Sequence, residues 1–308
     1  MKKYSILIAV ILILLVVSGI MFYAANNASY CLTGAFLSDV PLAKDISDFK
    51  NSYGRQPRLV MIFISWNRFP DNRTIEDVYS QGSILVITWE PWYPLKKEGI
   101  DFDGLISGSY DDYIKEFALR IKKIGKPVFL RFGHEMNGDW YPWSGTKIGK
   151  EKYIQVYRHV KDVFDRSGAD NVKWIFSFNW EDLPKENNHF TLYYPGDAYV
   201  DYLGIDGYNW GNTRPWSRWM SFGDIFGKRY AEAARSFNKP ILISEFSSTG
   251  SGGDKKEWIK QALNNIKSMK KVTGFVLFNV DKETDWSFPA DKDSGKVLKE
   301  GLKSSYFK

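Results

Sequence analysis

A chain of 308 residues with 44% hydrophobic and 17% aromatic content can bury a large core, and about 250 residues or more is the size of a single α/β barrel. The net charge of +6 comes from basic residues interspersed with acidic ones, and no recognition motif is present, which argues against nucleic-acid binding. The lone Cys31 excludes an internal disulfide.

Met1-Lys2-Lys3 precedes an uncharged run from Tyr4 to Ala25. Its roughly 22 residues suffice to cross a bilayer and exceed the about 7 to 15 of an ordinary signal-peptide apolar region. No clean small-x-small cleavage site follows, so the expectation is one N-terminal membrane-spanning helix, with a cleaved signal as the alternative. Lys2 and Lys3 would keep the amino end inside. Everything after Ala25 would then stand on the extracellular face of the cell membrane, or be secreted if the segment is removed. Residues 1–30 are assigned to this segment and a short linker, and 31–308 to one domain.

Leu32 to Ser38 reads as a first strand and Val40 to Tyr53 as a helix. Arg58 to Trp66 is a buried strand, Thr74 to Ser80 a short helix, and Ser83 to Trp89 a third strand that closes in Trp89-Glu90-Pro91-Trp92. Tyr113, Phe117 and Ile121 recur at spacing four, which makes Tyr110 to Lys123 an amphipathic helix. The apolar Pro127 to Leu130 is the fourth strand. Glu151 to Arg166 is helical and Val172 to Phe178 is the fifth strand, but Asn179 to Asp197 is polar, broken by proline, and carries no strong helix. Tyr199 to Ile205, Ile241 to Phe246 and Gly274 to Val280 complete eight strands, with helices at Phe222 to Phe237, Asp254 to Lys271 and Asp291 to Tyr306. Strands alternating with helices predict a single (β/α)8 TIM barrel of the α/β class.

In such a barrel the carboxyl ends of different strands converge on one face. The fourth strand opens into Arg131-Phe132-Gly133-His134-Glu135, followed by Trp140, Tyr141 and Trp143. The seventh repeats that plan, from a Lys-Pro start through a buried strand to Glu245. Glu135 and Glu245 therefore become candidates for a catalytic pair of the kind glycoside hydrolysis needs, one carboxyl to protonate the leaving oxygen and one to attack or activate water. Spacing alone leaves open that either is a salt-bridge residue at the barrel mouth. Ten of the 12 tryptophans (Trp66, Trp89, Trp92, Trp140, Trp143, Trp180, Trp210, Trp216, Trp219 and Trp286) fall at or soon after strand exits. Indole faces pack against the C–H faces of sugars, and about half of the ten are expected to do so, the rest packing beneath loops. No metal site is expected: His134 lacks a second His four positions on, where Gly138 stands. A Gly-x-Ser-x-Gly elbow and a phosphate-binding glycine loop are also missing, so no cofactor is expected.

His134-Glu135-Met136-Asn137-Gly138, with Trp140 five positions after the Glu, resembles the signature of glycoside hydrolase family 26, the β-mannanase family. The resemblance extends from about Gly34 to Trp286 and takes in Gly99 to Tyr110, Asp201 to Tyr208 and Ser244-Glu245-Phe246. It implies a retaining double displacement with Glu135 as acid/base and Glu245 as nucleophile. His134, Trp140, Tyr208 and Trp286 would shape the sugar subsite, with Tyr208 hydrogen-bonding Glu245. Arg131, Asn137, Trp143, Trp89, Glu90, Trp92 and Trp210 complete the candidate substrate-binding set. Many mannan-cleaving members carry a His-containing segment where this chain has Trp89-Glu90-Pro91-Trp92, so mannan or glucomannan and mixed-linkage β-glucan both stand as substrates. A polysaccharide is the expected partner and a monomer the expected state; a non-catalytic glycan-binding surface protein using the same aromatic cleft is the alternative.

Overall fold

The computed structural model describes residues 30–308. In chain order the barrel elements are β1 (Leu32–Phe36), α1 (Ala43–Tyr53), β2 (Leu59–Ser65), α2 (Asn72–Ser80), β3 (Ile84–Glu90), α3 (Phe102–Ile106), α4 (Asp111–Ile124) and β4 (Val128–Phe132). They continue with α5 (Gly145–Ile148), α6 (Lys150–Arg166), β5 (Val172–Asn179), β6 (Tyr202–Asn209), α7 (Phe222–Ser236), β7 (Ile241–Ser248), α8 (Lys255–Ser268), β8 (Val272–Phe278) and α9 (Asp293–Leu302). All eight strands pair in parallel and close on themselves, β1 meeting both β2 and β8. The expected (β/α)8 barrel is therefore present. Among the described residues no helix is long and apolar enough to cross a membrane. The Tyr4 to Ala25 run expected to do so lies outside them.

Side chains alternate across each strand, and this period of two divides the core. Leu59, Met61, Val86, Phe129, Ile175, Leu242 and Val276 fill the barrel interior. Their neighbours Val60, Ile62, Leu85, Ile87, Leu130, Phe176 and Ile243 face outward against the helices. The same parity corrects one expectation for the cleft. Trp89 follows Leu85 and Ile87 on the outward side, where it stacks on Trp66 (4.9 Å between centroids) and on Phe117 of α4 (4.1 Å). It is fully buried between sheet and helix and cannot touch a ligand in the barrel mouth.

Several strands run further at their carboxyl ends than their composition predicts, two of them with consequences for the site. β4 includes Arg131 and Phe132, so Arg131 is an interior residue of the barrel rather than a loop residue past its end. β6 continues through Asp206 to Asn209, because its ladder with β7 is kept up as far as the Asn209–Ser248 pair. That ladder contains an irregularity: Ile205 pairs with Ile243, but Asp206 pairs with Glu245. The extra residue, Ser244, is a bulge that lets Ser244 and Glu245 both face the barrel axis, between the outward Ile243 and Phe246. As the sequence suggests, no α-helix follows β5; two short 3₁₀ turns, Phe190–Tyr193 and Asp197–Tyr199, occupy the connection.

Replacing Trp89 by Ala should cost about 3 to 5 kcal/mol of stability, the usual loss for a buried large aromatic, and leave ligand affinity nearly unchanged. Denaturant unfolding compared with polysaccharide binding checks it; a selective loss of binding would put the ring back in the cleft.

Candidate active site

Inward positions near the carboxyl ends of β4 to β7 carry Arg131, Ser177, Asn179, Asp206, Tyr208, Ser244 and Glu245. Each sits an even number of residues beyond an apolar interior residue of its strand, save Glu245, which the bulge turns inward. Together they form a polar layer over the apolar filling of the barrel.

Arg131 is the centre of that layer and has no exposed surface. One guanidinium nitrogen donates to Asp206 Oδ1 at 2.8 Å, and the other donates to Glu245 Oε1. Ser177 and Ser244 donate to the two oxygens of Asp206 at 2.8 and 2.7 Å. The Tyr208 hydroxyl donates to the second oxygen of Glu245. Gly204 leaves room for this: a Cβ there would lie 2.5 Å from both serine hydroxyls.

Glu135 arrives by a different route. Past the end of β4 the chain passes through Gly133 (φ +55°) and Glu135 itself (φ +53°). A left-handed conformation in a residue with a side chain costs roughly 1 to 2 kcal/mol. It is fixed by the Glu135 amide donating to the Ser177 carbonyl at 3.0 Å and by Tyr153 donating to the Gly133 carbonyl at 2.9 Å. The turn aims the carboxyl between two donors, Asn179 Nδ2 at 2.7 Å and Trp140 Nε1 at 2.9 Å. Gly138 permits the second contact, since a Cβ there would lie 2.5 Å from the Trp140 ring.

Both carboxyl groups open onto one groove of about 530 Å³. Of the expected residues, Glu135, Glu245, Trp140, Tyr208, Trp210 and Trp286 line it. Trp180 and Trp216 line it as well, so five of the ten strand-exit tryptophans border the groove, Trp286 with only 1% of its surface exposed. Arg131 lies beneath the floor. His134 is buried to one side, its Nε2 3.1 Å from the Tyr141 hydroxyl. Trp143 is also buried; it stacks under Tyr141 at 4.2 Å and donates to the His134 carbonyl at 2.6 Å, so it holds the wall rather than forming it. Glu90 faces inward beside this wall and accepts from Trp92 Nε1 at 3.1 Å; neither residue reaches the groove surface. Asn137 is fully buried and bonds to the β5 loop. Sequence reasoning missed Asn179 and Asp206 as site residues. Counting inward positions from Ile175 and Gly204 would have found both.

Charge in this layer is unevenly matched. Arg131 serves Asp206 and Glu245, which leaves Glu135 with no cation among its contacts. Burial, then the charges of Asp206 and Glu245, push the Glu135 carboxyl up to about 8, against the opposing pull of the Asn179 donor. Glu135 therefore holds its proton at neutral pH. Burial likewise raises Glu90 to about 7, with Trp92 opposing and Glu245 reinforcing. Burial and the cations Arg131 and Lys282 hold His134 well below its ordinary range, as a neutral ring. A carboxyl that burial keeps protonated and a second carboxyl group gripped by a guanidinium and a phenol thus face one aromatic groove, an arrangement able to donate a proton and to attack an electrophilic carbon.

The sequence pattern of glycosyl hydrolase family 26 matches residues 95–279. Endoglucanase H of Acetivibrio thermocellus is 39% identical over 98% of this chain, which covers 34% of that protein. A mannan endo-1,4-beta-mannosidase of Bacillus subtilis is 29% identical over 52% of the chain, covering 40% of its own length. The chain thus spans about a third to two fifths of the length of these relatives. Bacillus subtilis mannanase man26 shares the fold, with a TM-score of 0.67 at 20% identity over 92% of this chain and 88% of that one. A modular endo-beta-1,4-mannanase from Cellulomonas fimi does too, with a TM-score of 0.67 at 18% identity over 93% and 74%.

The raised Glu135 carboxyl has a consequence for stability. Between its ordinary 4.5 and about 8 the folded protein retains a proton that the unfolded chain releases, so this group's contribution to stability falls as pH rises through that window. Glu135→Gln removes the slope. Its melting temperature relative to the parent should climb from pH 5 to pH 8 and then level off; a difference independent of pH would show that Glu135 titrates normally.

Proposed function

The chain belongs to glycosyl hydrolase family 26, and on that premise we propose that it cleaves a β-1,4-linked polysaccharide by double displacement, with Glu135 as acid/base and Glu245 as nucleophile. The observation that carries the assignment of roles is the asymmetry of contacts. Glu245 accepts hydrogen bonds from the Arg131 guanidinium and the Tyr208 hydroxyl, whereas Glu135 touches no cation and burial raises it to about 8.

In the first step Glu245 attacks the anomeric carbon as the bond to the leaving oxygen breaks, and Glu135 passes its proton to that oxygen. A glycosyl ester on Glu245 results. Glu135, now ionised, takes a proton from water as the water oxygen attacks the same carbon and displaces Glu245, which restores both groups and retains the anomeric configuration. Trp140 Nε1 and Asn179 Nδ2 hold the Glu135 carboxyl through both proton transfers. Trp180, Trp210 and Trp216 offer faces for successive sugar rings along an open groove, with the buried Trp286 behind them, which fits internal cleavage of a polymer.

A glucose-containing backbone, such as mixed-linkage β-glucan, is favoured over mannan. Support comes from the 39% identity to a protein named endoglucanase over nearly the whole chain, against shorter and weaker matches to mannanases. The β3 exit, where Glu90 rather than a His faces inward, agrees with this. The Tyr4 to Ala25 run supports a surface location, tethered or secreted, where such polymers are met.

Activity should follow the protonated Glu135, so kcat/KM falls as pH rises through about 8. Glu245→Ala should reduce turnover to background. Glu135→Ala should lose about 10²- to 10⁴-fold in kcat/KM on polymer, and far less on 2,4-dinitrophenyl glycosides, whose leaving group needs no proton. Reducing-sugar release from lichenan, glucomannan, mannan and xylan, with NMR of the first-formed anomer, tests substrate and mechanism together. Polymer binding without reducing-end release, or inversion of the anomer, would overturn the proposal.

A further inference from the structure

Behind Glu135 a polar chain runs from the groove into the protein. Asn137 grips the backbone of Asn179 on both sides: its Oδ1 accepts from the Asn179 amide at 2.8 Å, and its Nδ2 donates to the Asn179 carbonyl at 3.0 Å. The Asn179 side chain is thereby set with Nδ2 on Glu135 and Oδ1 accepting from the Glu181 amide at 3.0 Å. Asn137 Nδ2 is itself held by Asp182 Oδ1 at 2.7 Å. The other oxygen of Asp182 accepts from Arg229 Nη2 at 2.8 Å, and Arg229 Nε donates to the Trp180 carbonyl, also at 2.8 Å. Arg229 stands on α7, and neither it nor Asp182 lines the groove.

We propose that Asp182 and Arg229 are positioning residues for the acid, locking Asn137 so that the Asn179 amide keeps its place and orientation against Glu135. Two features point to geometry rather than to stability. A buried ion pair is often no more stabilising than apolar residues of the same volume, so it is a poor device for anchoring a loop and a good one for fixing orientation. The chain also ends on the one catalytic carboxyl that no cation holds. The connection after β5 has no helix to brace it, and this network supplies the brace at the point where Asn179 leaves the strand. Asp182 further accepts from the Phe190 amide at 3.2 Å, which pins the middle of that connection.

The inference rests on Glu135 being the general acid, and the experiment separates the two. Asp182→Asn, Arg229→Met, Arg229→Lys and Glu135→Ala are made in the full chain and compared on lichenan and on a 2,4-dinitrophenyl β-glycoside, with kcat/KM as the readout because it reports formation of the glycosyl ester. Asp182→Asn and Arg229→Met should lower kcat/KM on polymer roughly 10- to 100-fold, the scale of a misplaced catalytic group. On the activated substrate the loss should stay under about threefold. The basic limb of the pH profile should move upward as the Asn179 donor disengages, and Arg229→Lys should recover part of the loss. Equal losses on both substrates with an unmoved limb would overturn the positioning role. Should Asp182→Asn fail to fold, the Lys and Met variants of Arg229 give the same comparison. If Glu135→Ala itself shows no dependence on leaving group, the acid assignment fails and takes this inference with it.

Discussion

A guanidinium can stand inside a barrel only where its charge is answered in place, because an unpaired buried ion costs several kcal/mol. Arg131 meets that condition by reaching from β4 to carboxylates on β6 and β7, so one side chain ties three strands together at the mouth. The tie also fixes the charge available to everything nearby. With one cation placed in contact with Asp206 and Glu245, a third carboxyl brought into the same low-dielectric space feels that cation only at a distance, too weakly to offset burial and its two acidic neighbours. Glu135 is that third carboxyl, and its retained proton follows from the shortage of positive charge as much as from its own burial. The difference between the two groove carboxyls is therefore a property of the layer, set by which of them Arg131 touches.

Two backbone devices bring the pair to the groove, and they differ in kind. Glu245 is turned inward by one extra residue in β7, which keeps both Ser244 and Glu245 on the barrel axis while Ile243 and Phe246 stay in the outer core. Glu135 lies beyond its strand, in a left-handed turn held by the Ser177 carbonyl. A bulge is rigid because the ladder resumes on either side of it. A loop turn is rigid only if something braces it, and the braces here are the Ser177 carbonyl and Asn179 side chain of β5, Trp140 of the same loop and Tyr153 of α6.

Much of this was legible in the sequence because parallel barrel strands are apolar on both faces and stand out as short hydrophobic runs. The same property hid their ends. Asp206 to Asn209 and Arg131 are polar, so composition closed β6 and β4 too early, although pairing with neighbours carries both strands on. Proximity to a strand exit identified Glu135, Glu245, Trp140, Tyr208, Trp210 and Trp286 but could not separate groove from core. Trp89 and Glu90 are adjacent in sequence and point to opposite sides of the sheet, and only alternation counted from an interior residue such as Val86 tells them apart. Asn137 lies within the most telling motif of the chain, yet its work is done underground, on the backbone of a strand some 40 residues later.

The division of the tryptophans shows how the aromatic wall stays in place without a ligand. Trp286 faces the groove while its carbonyl accepts from Ser247 and its indole nitrogen donates to Glu283 at 3.1 Å. Its ring lies 4.8 Å from both Tyr208 and Trp210. On the opposite side Tyr141 lines the groove, stacked on the buried Trp143, which also meets Trp92 edge to face. Tyr141 thus rests on a ring that is buried from solvent, and Trp286, itself buried, is held by the buried Ser247, so these parts of the wall are pre-set and little conformational entropy remains to be lost when a sugar packs against them. Trp143, confined to the interior, serves the groove as a support, whereas Trp66 and Trp89, also at strand exits, pack between the sheet and α4.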